Sequence, residues 1–202
     1  MTSATMVLTG DVNLRNVDDP DVPFGQVAET LSQADLVFGN LEGCLYDDRQ
    51  QIPYKPGWFH AAHSAAPALR AGGFDVVGCA NNVTFGAEAI ESTLAKLDEM
   101  GVAHVGAGRD RHSARTPAIV QKAGIRFGFL QYTSVFWPVG HEATETGPGV
   151  TAIKAHTAYQ PHRRIPEMPG GPATVITWPD TPTTWRSSAG TSGPFVGTSM
   201  SW

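Results

Sequence analysis

The sequence predicts an α/β fold organised around parallel strands, and three observations carry that prediction. Residues 74–100 join an apolar run (Phe74, Val76, Val77, Cys79, Ala80) of buried-strand length to a helical stretch. In that stretch Ile90, Leu94 and Leu97 share one face, and Glu88, Glu91, Lys96 and Asp98 take the other. Two earlier apolar runs, residues 5–9 and 35–38, end as this one does, in a short polar tip. A chain of 202 residues that is 41% hydrophobic can also bury the core such a sheet needs, within one domain.

The first strand, residues 5–9, runs into Gly10-Asp11-Val12-Asn13. Glycine permits a sharp turn there, and Asp11 and Asn13 set a carboxylate and an amide two residues apart, a pairing of hard oxygen donors. A capped turn accounts equally well for the same residues. Residues 23–34 fit a helix with Val27 and Leu31 inward. The second strand, 35–38, ends in Gly39-Asn40-Leu41-Glu42, so Asn40 and Glu42 form the second tip. Residues 46–59 read as a loop broken by Pro53, Pro56 and Gly57. His60 and His63 precede a helix over 64–71 closed by Gly72 and Gly73, and suit surface or capping roles better than ligation.

The third strand ends at Asn81 and Asn82, whose amides offer oxygens to a hard cation, N–H groups to an anion, or the hydrogen bonds of an Asx turn. Three polar tips at successive strand ends converge on one sheet edge, where ligand sites of open α/β sheets lie, and that convergence favours a site. Residues 102–105 read as another strand. Gly106-Ala107-Gly108 follows as a tight turn, because the third glycine of a dinucleotide fingerprint is missing. Residues 118–121 and 125–132 form a hairpin across Lys122-Ala123-Gly124, and the chain keeps a folded character to Trp178.

Composition excludes several classes. The formal charge is −5 with no basic cluster, which argues against a nucleic-acid partner. Cys44 and Cys79 form no C-x-x-C pair and read as reduced thiols. The amino-terminal stretch has no basic leader region, and no segment approaches the ~20 apolar residues of a membrane helix, so the chain as written reads as cytoplasmic.

Gly10-Asp11-Val12-Asn13, Asn40-Leu41-Glu42, Ala80-Asn81-Asn82, Gly106-Ala107-Gly108 and Phe127-Gly128-Phe129-Leu130, in that order, resemble the CapA-type capsule (poly-γ-glutamate) synthesis protein family. The resemblance covers residues 5 to about 180. It implies a calcineurin-like metallophosphoesterase fold, a two-sheet αββα sandwich with one or two divalent ions (Mn, Fe or similar) on the strand edges. It implies Asp11, Asn13, Asn40, Glu42, Asn81 and Asn82 as the metal-site residues, with a phosphorylated or polyanionic small molecule or polymer as substrate. Two departures stand against intact activity. The family usually continues Asn-Asn-His, and here position 83 is Val. Its later His-Trp-Gly and Gly-His-His-Pro-His motifs, which would supply imidazole ligands, do not occur; His141, His156 and His162 read as loop residues.

Residues 5–180 therefore read as an incomplete domain, and 181–202 as an aberrant or disordered tail rich in Ser and Thr with the single charge of Arg186. Read two bases out of frame, the final codons can encode a charged helix end and a buried strand. That suits a frameshifted gene whose product is truncated. Three functions stand: a metal-dependent phosphoester-hydrolase-like enzyme whose site is incomplete in this chain, a non-catalytic capsule-assembly or polyanion-handling module, and an inactive fragment.

Overall fold

The computed structural model describes residues 3–48, 56–160 and 174–179. Two units are distinguished, one running to Ala152 and one beginning at Ile153. The first is built on a four-stranded sheet in the order β1 (Met6–Val12), β2 (Leu36–Leu41), β3 (Val76–Gly78) and β4 (Ala103–Val105), every pair parallel. The fold is thus α/β, with smaller antiparallel pieces around a parallel sheet.

Between the strands run α1 (Ala28–Leu31), α2 (Pro67–Ala71) and α3 (Ala87–Met100). The longest, α3, buries Ala89, Ile90, Thr93, Leu94, Leu97 and Met100, the stripe that its apolar spacing predicts. Each fully buried Leu or Ile there contributes ~1.5–3 kcal/mol relative to exposure. Gly101, at φ 66°, ends the helix in the left-handed conformation that glycine adopts without strain.

Beyond β4 come β5 (Ala107–Gly108), α4 (Arg111–Ala114), β6 (Ala118–Lys122), β7 (Ile125–Phe129) and β8 (Gly149–Val150). β6 and β7 form an antiparallel hairpin turned at Ala123 and Gly124 (φ 49° and 76°), the positive-φ pair a two-residue hairpin turn requires. Asp75 ties the hairpin to the sheet: its Oδ1 meets Lys122 Nζ at 2.7 Å and its Oδ2 accepts from Val37 N–H at 2.9 Å. The second unit contains the antiparallel pair β9 (Ala155–Gln160) and β10 (Thr174–Pro179).

Several expectations change. The helix over 23–34 shortens to α1, so Leu31 is buried but Val27 is 46% exposed. Gly106-Ala107-Gly108 is not a bare turn, because Ala107 and Gly108 pair with β8. β1 and β2 run further than their apolar residues suggest and take Asp11 and Asn40 into the sheet. His156 lies in β9 rather than a loop. His162 and the 181–202 tail lie outside the described residues. Among the described residues no helix is long and apolar enough to cross a membrane.

Candidate functional site at the carboxyl edge of the sheet

The β1–β2 register pairs Asp11 with Asn40 and Val12 with Leu41. Strand side chains alternate between faces. Val12 and Leu41 turn into the core, so Asp11, Asn13, Asn40 and Glu42 share the opposite face at the strand tips. Asn40 Nδ2 donates to Asp11 Oδ1 at 2.5 Å, and Asn13 Nδ2 donates to Glu42 Oε2 at 3.0 Å. Each carboxylate is therefore held by a carboxamide from the neighbouring segment.

Asn13 is oriented in turn by Arg15, whose backbone N–H donates to Asn13 Oδ1 at 3.0 Å. The Arg15 guanidinium lies over the Trp58 ring, 4.3 Å from its centroid, and meets the Gly57 carbonyl at 3.4 Å. Among the described residues it pairs with no carboxylate, which leaves a cation beside an acidic edge.

Gln131 enters this edge from the far side of the chain. β7 brings Phe129 against Phe38 of β2, rings stacked at 5.4 Å, and two residues on, Gln131 Nε2 donates to Asn40 Oδ1 at 2.7 Å. Its Oε1 accepts the Ala80 backbone N–H at 2.7 Å. Glycines make the space: a Cβ at Gly78 or at Gly106 would lie 2.5 or 2.8 Å from Gln131 Oε1.

Asn81 and Asn82 are used differently. Asn81 is buried; its Nδ2 donates to the Leu41 carbonyl at 2.7 Å, and its Oδ1 accepts from Val83 N, Thr84 N and Thr84 Oγ1 at 3.0–3.1 Å. That is the Asx-turn arrangement, with the amide engaged inside the turn. Asn82 is half-buried, and its carbonyl accepts from Trp137 Nε1 at 2.8 Å. No hydrogen bond links either side chain to the four residues at the β1 and β2 tips, which form two separate pairs, Asp11 with Asn40 and Asn13 with Glu42.

His141, expected as an unremarkable loop residue, is fully buried beneath this turn. Its Nε2 meets the Asn81 carbonyl, and burial holds its pKa below the usual imidazole value. His60 is likewise lowered, first by burial. The buried thiols shift the other way: Cys44 is pushed up to about 12 and Cys79 higher still, so neither is a thiolate nucleophile or ligand.

A serine–histidine–aspartate chain stands apart from the edge. His63 Nδ1 meets Asp47 Oδ2 at 2.8 Å and its Nε2 meets Ser92 Oγ at 2.7 Å. The Ser92 hydroxyl also donates to the Leu45 carbonyl, at 3.0 Å, from within α3. A hydroxyl whose proton rests on a main-chain carbonyl is not activated for attack. The chain serves as a strut between residues 45–47 and α3.

Over residues 5–175 the chain matches the family described as bacterial capsule synthesis protein PGA_cap. The chain belongs to this family. Two relatives from Sinorhizobium fredii (strain NBRC 101917 / NGR234), named Uncharacterized protein y4sH and Uncharacterized protein y4uA, are each 32% identical over 166 residues. Each match covers 74% of this chain and 36% of the relative, so the chain spans about a third of the length of these relatives. Among the described residues, no three His, Cys, Asp or Glu side chains come together where they could hold a metal ion.

Gln131, Arg15 and Trp58 carry no expectation from the sequence, and His141 reads there only as a loop residue. A signal for Gln131 was available: it is the next same-face position after Phe127 and Phe129, polar where that alternation calls for an apolar residue.

Proposed function

We propose that this chain carries the oxygen-donor part of a metal-dependent, phosphoester-hydrolase-like site serving capsule (poly-γ-glutamate) synthesis, and that by itself it is catalytically incomplete. The observation behind this reading is the placement of Asp11 and Glu42 on one face, at the ends of adjacent parallel strands, each held by an amide. Two carboxylates and water suffice for a single hard ion such as Mg²⁺ or Mn²⁺. They do not suit a two-ion transition-metal centre, which needs imidazole donors for its softer ions. A bound divalent ion would polarise a phosphoryl or carboxylate oxygen of an anionic substrate. Asp11 and Glu42 would hold that ion, Asn13 and Asn40 orient them, and Arg15 on Trp58 would attract the anionic group.

A non-catalytic polyanion-handling module is the second reading. It is favoured by the buried Val83 at the position where the family usually has histidine.

Titration of the full chain with Mn²⁺, followed by the electron-paramagnetic signal of the free ion, tests the first reading. Saturable binding that is lost in Asp11→Ala and Glu42→Ala, with no turnover of a phosphodiester above a metal-only blank, supports it. Absence of saturable binding overturns it. Turnover abolished by Asp11→Ala would overturn the claim of incompleteness.

A further inference from the structure

We propose that Gln131 is a positioning residue that sets the hydrogen-bond polarity of the site, turning Asn40 into a donor that holds Asp11 rather than an oxygen ligand for a cation. The inference rests on the reading of Asp11 as a metal-site carboxylate and specifies which of its neighbours can ligate.

The argument starts from a group whose role admits no choice. The Ala80 backbone N–H can only donate, so the Gln131 atom 2.7 Å away is its oxygen. The other end of the Gln131 amide is then NH₂, and it faces Asn40 at 2.7 Å. The Asn40 atom that receives it must be a carbonyl oxygen, which leaves the Asn40 NH₂ directed at Asp11 Oδ1, 2.5 Å away. Carboxamide oxygen and nitrogen are ordinarily interchangeable by a flip. Here a flip of either amide sets donor against donor at the Ala80 or Gln131 end. Polarity thus passes from a main-chain N–H across two amides to a carboxylate.

The site is shaped for this relay. Gly78 and Gly106 both face Gln131 Oε1 at distances no side chain could share, and Thr151 Oγ1 donates to the Gln131 carbonyl at 2.6 Å, fixing the residue's backbone. Asn13 repeats the logic beside it, since the Arg15 backbone N–H claims its oxygen and leaves its NH₂ on Glu42. Both amides at the β1 and β2 tips present N–H to carboxylates, so their oxygens are turned away from those carboxylates, toward Gln131 Nε2 and the Arg15 N–H. The oxygen donors facing a cation reduce to Asp11 and Glu42.

Reversing the relay tests it. In Gln131→Glu, one carboxylate oxygen still accepts from Ala80 N–H. The other now demands a donor, so Asn40 flips and turns its oxygen toward Asp11. We expect Q131E to tighten Mn²⁺ binding by the full chain about tenfold, and Gln131→Leu to weaken it by a similar factor, the range of effects of residues that orient metal ligands. In the Q131E background, Asn40→Ala should abolish the gain. If the gain survives, added charge rather than the flip is responsible and the proposal fails; equal losses in Q131E and Q131L also defeat it, as the signature of a space-filling role.

A second measurement needs no metal. In nitrogen–proton correlation spectra of the metal-free chain, the Asn40 side-chain NH₂ should be shifted downfield and protected by its carboxylate partner. Asp11→Ala should remove that signature, and Q131E should change it. An Asn40 NH₂ signal indifferent to Asp11 and Gln131 overturns the relay. Intact NMR signatures without Mn²⁺ binding would leave the relay standing and defeat only the metal reading.

Discussion

His141 accepts the Trp137 backbone N–H at Nδ1, 2.9 Å away, while its Nε2 lies 2.9 Å from the Asn81 carbonyl. A main-chain N–H directed at Nδ1 requires a lone pair there, and a carbonyl opposite Nε2 requires a proton, so the ring is the neutral Nε2–H tautomer. Trp137 adds its indole N–H to the Asn82 carbonyl. The two residues clamp the Asn81–Asn82 turn from below, and Phe85 lies edge-on to the imidazole at 5.7 Å.

Acid should release this clamp. Burial lowers the folded-state pKa of His141 below its ordinary 6.5, so protons bind the unfolded chain more readily. Its contribution is complete above pH 6.5 and is lost as pH falls toward the folded-state value, by up to about 1.4 kcal/mol per pH unit. Thermal melts between pH 7.5 and 5 should therefore show a steeper loss for the wild-type chain than for His141→Gln. Parallel pH profiles would refute the buried neutral imidazole.

Gly78 makes a separate prediction about packing. A Cβ there would lie 2.5 Å from the Gln131 amide, and crowding of this kind costs ~1–3 kcal/mol. Gly78→Ala should lower stability by that amount in urea unfolding. Trimming the obstacle with Gln131→Ala should recover much of the loss, because residues in contact couple non-additively. Additive costs would mean that Gly78 matters for its backbone alone.

The parallel sheet was legible in the sequence because its signals are local. Apolar runs with polar tips mark β1, β2 and β3, and the Ile90, Leu94, Leu97 stripe marks α3. The tips of β1 and β2 were found for the same reason, since Asp11, Asn13, Asn40 and Glu42 each follow an apolar run. What joins them was not legible. Gln131 lies 91 residues from Asn40, and long-range contacts deliver it there, the stacking of Phe129 on Phe38 and the Thr151 hydroxyl on its carbonyl. Asn81 stays ambiguous in the sequence for the opposite reason: its side chain satisfies the turn that it forms, a local alternative that sequence cannot separate from ligation. The four-residue α1 fell short of the helix expected over 23–34, and Val27 was left exposed.

Val83 gives a direct test of the proposal that the site is catalytically incomplete. The family usually carries histidine after the paired asparagines, so Val83→His is the obvious restoration. Yet the Val83 side chain is fully buried, and its backbone N–H is held by Asn81 Oδ1 at 3.1 Å. An imidazole placed in that packed position is larger than valine and must bury polar nitrogens, an unsatisfied polar group costing ~1–3 kcal/mol. Val83→His should therefore reduce stability by at least that range in urea unfolding and produce no phosphodiester turnover above a metal-only blank. Val83→Leu, which adds bulk without polarity, separates the two costs: a smaller loss than for histidine assigns the difference to the buried nitrogens. Wild-type stability in Val83→His, together with turnover that Asp11→Ala abolishes, would show that the Asn81–Asn82 turn can open to present position 83 to substrate. The clamp by His141 and Trp137 would then be a movable element rather than a fixed one.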